Sequence, residues 1–371
     1  MKDLLKQLIR SAPTAANGEL QAAETLKKFF DRCGIDATLD CWDPAHANLL
    51  ARLPSSQTRP ALLFASHLDV VPAGTAPWSV EPFAAVEKDD KIFGRGAVDM
   101  LSAIAAISAA MAEIKEQNIP LAGDVILAAA AAEETDSAGI KKFLRTCGQT
   151  LGPTAGIVIT EPTDLKVMRA HRGILWLEIT SIGKAAHGSM PELGVNAIDK
   201  MRLFLNRLEQ YKIPHQPHPL LGSCIMSVNT IAGGQATNII PDRCCVAVDI
   251  RTLPNQPHNQ ITADIEKILK QLKTEDPQFN ANLSVVRSVP ALETDANEPF
   301  VKSACSALDI NTAGAVGFTT DGPWLAKLNA PIIILGPGNP SLCHGPDEYI
   351  EISQLDKAKE IYRKLILSLQ A

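Results

Sequence analysis

The longest wholly apolar run in these 371 residues is VILAAAAA, Val125 to Ala132. A membrane span needs roughly 20 such residues, so this run belongs in a protein core. Gly123 before it and the Glu133–Glu134 pair after it mark a central strand, although alanine by itself prefers helix. Similar short runs stand at ALLFASHLDVV (61–71), GIVITEP (156–162) and APIIILGPG (330–338). Between them lie segments with apolar residues at helical spacing, such as LQAAETLKKFFDRCGI, which stops at Gly34, and MLSAIAAISAAMAEIKEQN (100–118). Strand alternating with helix predicts an α/β fold, a mainly parallel sheet with helices on both faces.

Near Gly173 the texture changes. ILWLEITSIG alternates like a strand, NAIDKMRLFLNRLEQY is amphipathic, CIMSVNTIAGG and CCVAVDIRTL suggest two strands, and ITADIEKILKQLK and LSVVRSV add a helix and a strand. Such an order describes a small two-layer α+β domain. A chain this long exceeds one ordinary core. The simplest division is an α/β domain of residues 1–172 and 289–371, interrupted by an inserted domain, 173–288.

A net charge of −6, with no cluster of Lys and Arg, excludes a nucleic-acid partner. No membrane partner is expected, and Lys2, Asp3, Lys6 and Arg10 interrupt any apolar signal core. The eight cysteines contain no CxxC pair and suit reduced thiols, so a cytoplasmic protein is expected.

Charged residues collect where apolar runs give out. His67 ends FASH, His344 follows PIIILGPG, Asp99 precedes the long alanine-rich helix, Glu133 and Glu134 follow VILAAAAA, and Glu161 follows GIVIT. In open α/β sheets, ligands gather at the carboxyl ends of the strands. Taken singly, these residues have ordinary explanations: a hydrogen-bonded histidine, a helix N-cap at Asp99, a solvated acidic pair. Together, two imidazoles and several carboxylates are donors for zinc or a similar divalent ion, and too many for one tetrahedral site. The number suits two metals about 3.5 to 4 Å apart sharing a carboxylate. Asp69, two residues beyond His67, can accept a hydrogen bond from the ring nitrogen that faces away from a metal.

The ordered series SHLDVVPAG, KIFGRGAVDM, AAEETDSAG, ITEPTDLKV, GKAAHGSMPELGVNAI and LGPG with HGPDEYIE resembles the zinc amidohydrolase/exopeptidase family. That family includes acetylornithine deacetylase, succinyl-diaminopimelate desuccinylase, aminoacylase and glutamate carboxypeptidase. The resemblance implies a catalytic domain interrupted by a dimerisation domain, hence a homodimer. It implies His67 and Glu161 on one metal, His344 and Glu134 on the other, and Asp99 between them. Two zinc ions are expected, with cobalt or manganese as substitutes. By the same resemblance Glu133 is the general base and acid, and His187 reaches the partner subunit's site to bind the carbonyl oxygen. Arg251 holds the substrate carboxylate, and Asn238 also contacts substrate. The family usually has a second acid where this chain has Met100.

RAHRGILW and HGPDEYIE look more like the acetylornithine deacetylase branch. Where the desuccinylase pattern has serine after Arg-Gly and glycine before its Thr-Ser-Asp-Gly, this chain has Ile174 and Phe318. Both changes argue against a succinyl carboxylate and for a small-molecule N-acetyl amino acid. An exopeptidase acting on dipeptides and a metal-binding but non-catalytic relative are the alternatives.

Overall fold

In the computed structural model, which describes residues 1–148 and 151–371, the alanine-rich run forms strand Val125–Ala130 and is buried throughout. It lies parallel to Ala61–His67, which is parallel in turn to Thr154–Ile159, and Ile332–Ile334 continues the parallel series. Antiparallel strands extend the sheet, with Ala47–Leu53 beside Val125–Ala130 and Asp36–Cys41 beyond it. The parallel strands are continuous apolar runs because both faces are covered. The two flanking strands, part polar in sequence, carry too weak a periodicity to be read in advance.

Register levels the ends of the parallel strands. His67 is level with Ala130, and Ala65 is level with Ile159, which is level with Ile334. The segments that leave these strands therefore start from one rim. After Ala130 the run quits the sheet: Ala132 is left-handed, with φ +61, and turns the chain toward Glu133. The eight-residue run thus supplies six residues of strand and a turn.

Helix Leu101–Glu116 presents buried residues around most of its circumference and packs against Ile352–Gln370. An alanine-rich sequence suits this place, since small side chains let the backbones approach. Phe64, fully buried on the central strand, meets the Tyr362 ring edge-on at 5.5 Å, and Tyr362 donates to the Leu335 carbonyl at 2.9 Å.

The chain divides into two compact units. One comprises Met1–Ala170, Glu293–Val316 and Thr320–Ala371, and the other His171–Leu292 with Gly317–Thr319. The second holds a four-stranded antiparallel sheet in the order Ile225–Gly233, Arg243–Thr252, Gly173–Ile182, Ala281–Val289. Alternate residues Leu175, Leu177 and Ile179 with Val246, Val248 and Ile250 form a core with helices Ala197–Gln210 and His258–Glu275. Asn196 caps the first of these helices by accepting from the amides of Ile198 and Asp199.

Truncating the central aromatic tests the first core. Phe64→Ala is expected to cost about 3 to 5 kcal/mol, read from the denaturant midpoint; a loss below about 1 kcal/mol would show that Phe64 is not a keystone of the packing.

Candidate metal centre

Strand register puts His67 at the end of the central strand, 2% exposed. Its Nε2 lies 3.0 Å from Asp99 Oδ1 and 3.6 Å from Glu161 Oε1. Asp99 comes from the loop before the buried helix, and its peptide bond to Met100 is cis. On its other side, Asp99 Oδ2 lies 3.3 Å from His344 Nε2, which is 2.9 Å from Glu134 Oε1. Among the described residues, two groups thus have donor atoms within 4.8 Å of one another: His67, Asp99 and Glu161, and Asp99, Glu134 and His344. Asp99 is common to both. The His/carboxylate donor set suits a borderline divalent cation in each group.

Glu133 lines a small cavity with His67, Met100, Glu161 and Asp321. Met100 contributes no oxygen; its Sδ accepts the His67 amide at 3.2 Å.

Asp69 works differently from the sequence expectation. His67 Nδ1 bonds the Asp69 main-chain carbonyl at 2.9 Å, while the nearer carboxylate oxygen is 3.6 Å away. The carboxylate instead accepts the amides of Glu133 at 3.0 Å and Glu134 at 2.9 Å. It is buried, and it anchors the turn that aims both glutamates. An extended segment does put residues 67 and 69 on one face, but the adjacent turn offers two amides that need an acceptor.

The electrostatics follow from crowding acids in a buried space. Burial and the negative charge of Asp321 and then Glu161 push the Glu133 carboxyl well up; burial and Asp99 do the same for Glu161. Burial opposes ionisation of Asp99, but its bonds to His344 and His67 outweigh this and hold it well below the usual carboxylate range. Bonds to Asp99 and Glu134 push the His344 imidazole up to about 10. His67 would be lowered by burial, yet Asp99, Glu161 and Asp69 carry it well up.

Two further acids escaped the sequence reading. Asp321 is buried and pushed up to about 6, chiefly by burial, with one carboxylate oxygen lacking a hydrogen bond. Its segment, GFTTDG, stands out in sequence only by Phe318. Glu19 is 1% exposed, sits against the Ala132 amide, and is pushed up to about 7 by burial and then by Asp69. Nothing in its local sequence marks it.

The residues expected to handle substrate all belong to the second unit. His187 lies on the short strand Ala186–His187, paired with Ile239–Ile240, and the Gly188 amide donates to the Asn238 carbonyl at 2.8 Å. His187 and Asn238 are therefore neighbours. Arg251 stands elsewhere in that unit's sheet, opposite Ile174, with its Nε 3.0 Å from Asp249 Oδ1.

The chain is similar to known proteins over most of its length. Residues 63–368 match the family described as Peptidase family M20/M25/M40. A probable succinyl-diaminopimelate desuccinylase of Staphylococcus aureus (strain MRSA252) is 30% identical, covering 95% of this chain and 93% of the relative. An acetylornithine deacetylase of Buchnera aphidicola subsp. Acyrthosiphon pisum (strain Tuc7) is 33% identical, covering 86% and 83%. Among solved structures, an M20 family metallo-carboxypeptidase from Sulfolobus solfataricus superposes with a TM-score of 0.80 at 19% identity, over 98% of this chain and 97% of that one.

Two outcomes are expected. Asp69→Ala strands one buried and one part-buried amide and should lower zinc affinity about 10- to 100-fold by chelator competition; unchanged affinity would remove Asp69 from the support of the site. A metal takes neutral imidazole, and His344 holds a proton up to about 10. Zinc binding at pH 7 should therefore release protons, and affinity should fall as pH falls. Calorimetry in two buffers of different ionisation enthalpy reads this directly, and zero release would contradict it.

Proposed function

Because the chain belongs to peptidase family M20/M25/M40, we propose that this metal-dependent amidohydrolase uses two divalent ions to cleave an N-acyl, specifically N-acetyl, amino acid. The observation that carries this reading is the pair of donor groups sharing Asp99, with Glu133 buried beside them. His67 and Glu161 would hold one ion and Glu134 and His344 the other, with Asp99 between. Zinc fits these donors best, and cobalt or manganese would also be accepted. When bound, such ions polarise a carbonyl and acidify a water.

Glu133 takes a proton from the attacking water and returns it to the leaving amine. Burial beside other acids raises its proton affinity, which suits the step in which it takes the proton from water. His187 supplies the donor to the acyl oxygen. Its Nδ1 accepts the Ser189 amide at 3.2 Å, which leaves the proton of a neutral ring on Nε2. The resemblance assigns this histidine to the partner subunit's site, so a homodimer belongs to the reading. Arg251 offers a guanidinium to the substrate carboxylate, with Asn238 beside the His187 strand as a further contact. A cytoplasmic setting suits the eight free cysteines.

Support for acetyl over succinyl comes from Ile174 and Phe318. Ile174 lies directly opposite Arg251, and Thr319, next to Phe318, donates its hydroxyl to the Arg172 carbonyl at 2.7 Å. Both departures from the desuccinylase pattern therefore lie on joined segments of one unit. Neither adds a cation for a second carboxylate.

The decisive experiment compares N-acetyl-ornithine, N-acetyl-methionine, N-succinyl-diaminopimelate and simple dipeptides, before and after chelation. The N-acetyl substrates should give the highest kcat/KM, with activity lost on chelation and restored by zinc. Faster dipeptide cleavage would move the protein to the exopeptidase reading, and faster succinyl cleavage would overturn the pocket argument. Glu133→Gln should keep both metals while kcat falls roughly a hundred- to ten-thousand-fold; unchanged turnover would sink the assignment of the base.

A further inference from the structure

Asp99 and His344 lie far apart in sequence, yet one buried ion pair grips the backbone beside each. Arg95 and Glu348 are 1% and 0% exposed, and Arg95 Nη1 donates to Glu348 Oε2 at 2.6 Å. The other Glu348 oxygen accepts the amides of Val98 at 2.8 Å and Asp99 at 3.1 Å. Arg95 Nη2 donates to the His344 carbonyl at 3.2 Å. The main chain closes the same loop, since the Gly94 amide donates to the Glu348 carbonyl at 2.9 Å. Neither charged side chain contacts a donor atom of the metal groups; both hold the backbone from which those donors project.

A buried ion pair is a poor device for stability alone, because removing two charges from water costs as much as their attraction returns. It is a good device for fixing distance. The guanidinium is a rigid fork that reaches a carboxylate and a carbonyl at once, and the carboxylate bonds two successive amides with its remaining oxygen. Arg95 is further fixed by the Trp78 ring, whose centroid lies 5.0 Å from its guanidinium carbon. His67 and Glu161 are supported differently: they follow paired parallel strands whose register fixes their separation. Asp99 and His344 therefore rest on this brace, whereas His67, Glu161 and Glu134 stand at or just beyond the ends of the parallel strands, so one donor group has two braced members and the other has one.

We propose that Arg95 and Glu348 are positioning residues that set the spacing between Asp99 and His344, and so govern occupancy of the metal position formed by Asp99, Glu134 and His344. This role rests on the assignment of those three residues as metal donors. Loosening the pair should weaken that position selectively, while the position of His67 and Glu161, which also uses Asp99, is affected less.

The test is zinc titration of metal-free full-length protein, following stoichiometry and affinity with a chromophoric chelator. Thermal melting of the same metal-free samples checks that they are folded. Three variants are compared with the natural chain: Arg95→Lys, which keeps the charge but not the fork; Glu348→Gln, which keeps the shape; and the double change Arg95→Met with Glu348→Leu, which leaves no unpaired buried charge. The natural chain should bind two zinc ions. The folded variants should keep one tightly and bind the second about 10- to 100-fold more weakly. Two zinc ions at natural affinity in any folded variant would overturn the proposal, as would equal weakening at both positions or failure of all three variants to fold, which would make the pair merely structural. No zinc on the natural chain would instead sink the ligand assignment itself.

Discussion

Parallel pairing of Ala61–His67 with its two neighbours is the constraint on which the site depends. A strand has no freedom to move its end residue without changing register. A one-residue slip would turn His67 to the opposite face and bury the wrong half of the run. Continuous apolar sequence on all three strands makes burial on both faces favourable, and backbone pairing then levels their ends. The loops after them begin on one rim, and only short turns are needed to bring Glu133, Glu134 and Glu161 to His67. The apolar core thus supplies the geometry of a polar site that has no cohesion of its own.

That lack of cohesion is the second physical theme. Asp69, Asp99, Glu133, Glu161 and Asp321 are buried or nearly so within one region, and burial together with neighbouring acids raises the proton affinity of Asp69, Glu133, Glu161 and Asp321. Buried like charges oppose folding unless cations or hydrogen-bond donors answer them. Three kinds of answer are visible. The imidazoles of His67 and His344 bond Asp99 and Glu134. Backbone amides of the Glu133 turn bond Asp69. Arg95 meets Glu348 behind the Asp99 loop. Divalent ions would answer the remainder, and their binding energy would then count as folding energy.

The sequence made one class of residue legible and hid another. His67, Glu133, Glu134 and Glu161 stand out because polar residues interrupt apolar runs at the ends of strands, and the fold gathers them with Asp99 and His344. The second unit's sheet is readable by a different pattern: Leu175, Leu177 and Ile179 alternate cleanly. Hidden were the contacts made by backbone. No pattern in SHLDVV says that the Asp69 carboxylate will bond the amides of residues 133 and 134 instead of the His67 ring. Glu19, Arg95 and Glu348 are ordinary charged residues in sequence, and only the fold shows that each is buried. Short Asp36–Cys41 and Ala47–Leu53 escaped notice too, since their strand state depends on pairing with Val125–Ala130 more than on their own alternation.

Function divides along the same line. Bond-breaking chemistry needs donors held at fixed separation, and those donors rise from the parallel sheet and the loops braced behind it. Substrate selection needs side chains that vary without disturbing the donors. Arg251, Ile174, His187 and Asn238, the residues proposed to meet substrate, belong to a separate antiparallel unit with its own core, so a change there leaves the strand register beneath His67 untouched. A family can therefore keep one hydrolytic centre while its members differ in acyl group and leaving group. Here Ile174 and Phe318 occupy the positions at which this chain departs from the desuccinylase pattern, and both stand in the unit that can change without altering the metal donors.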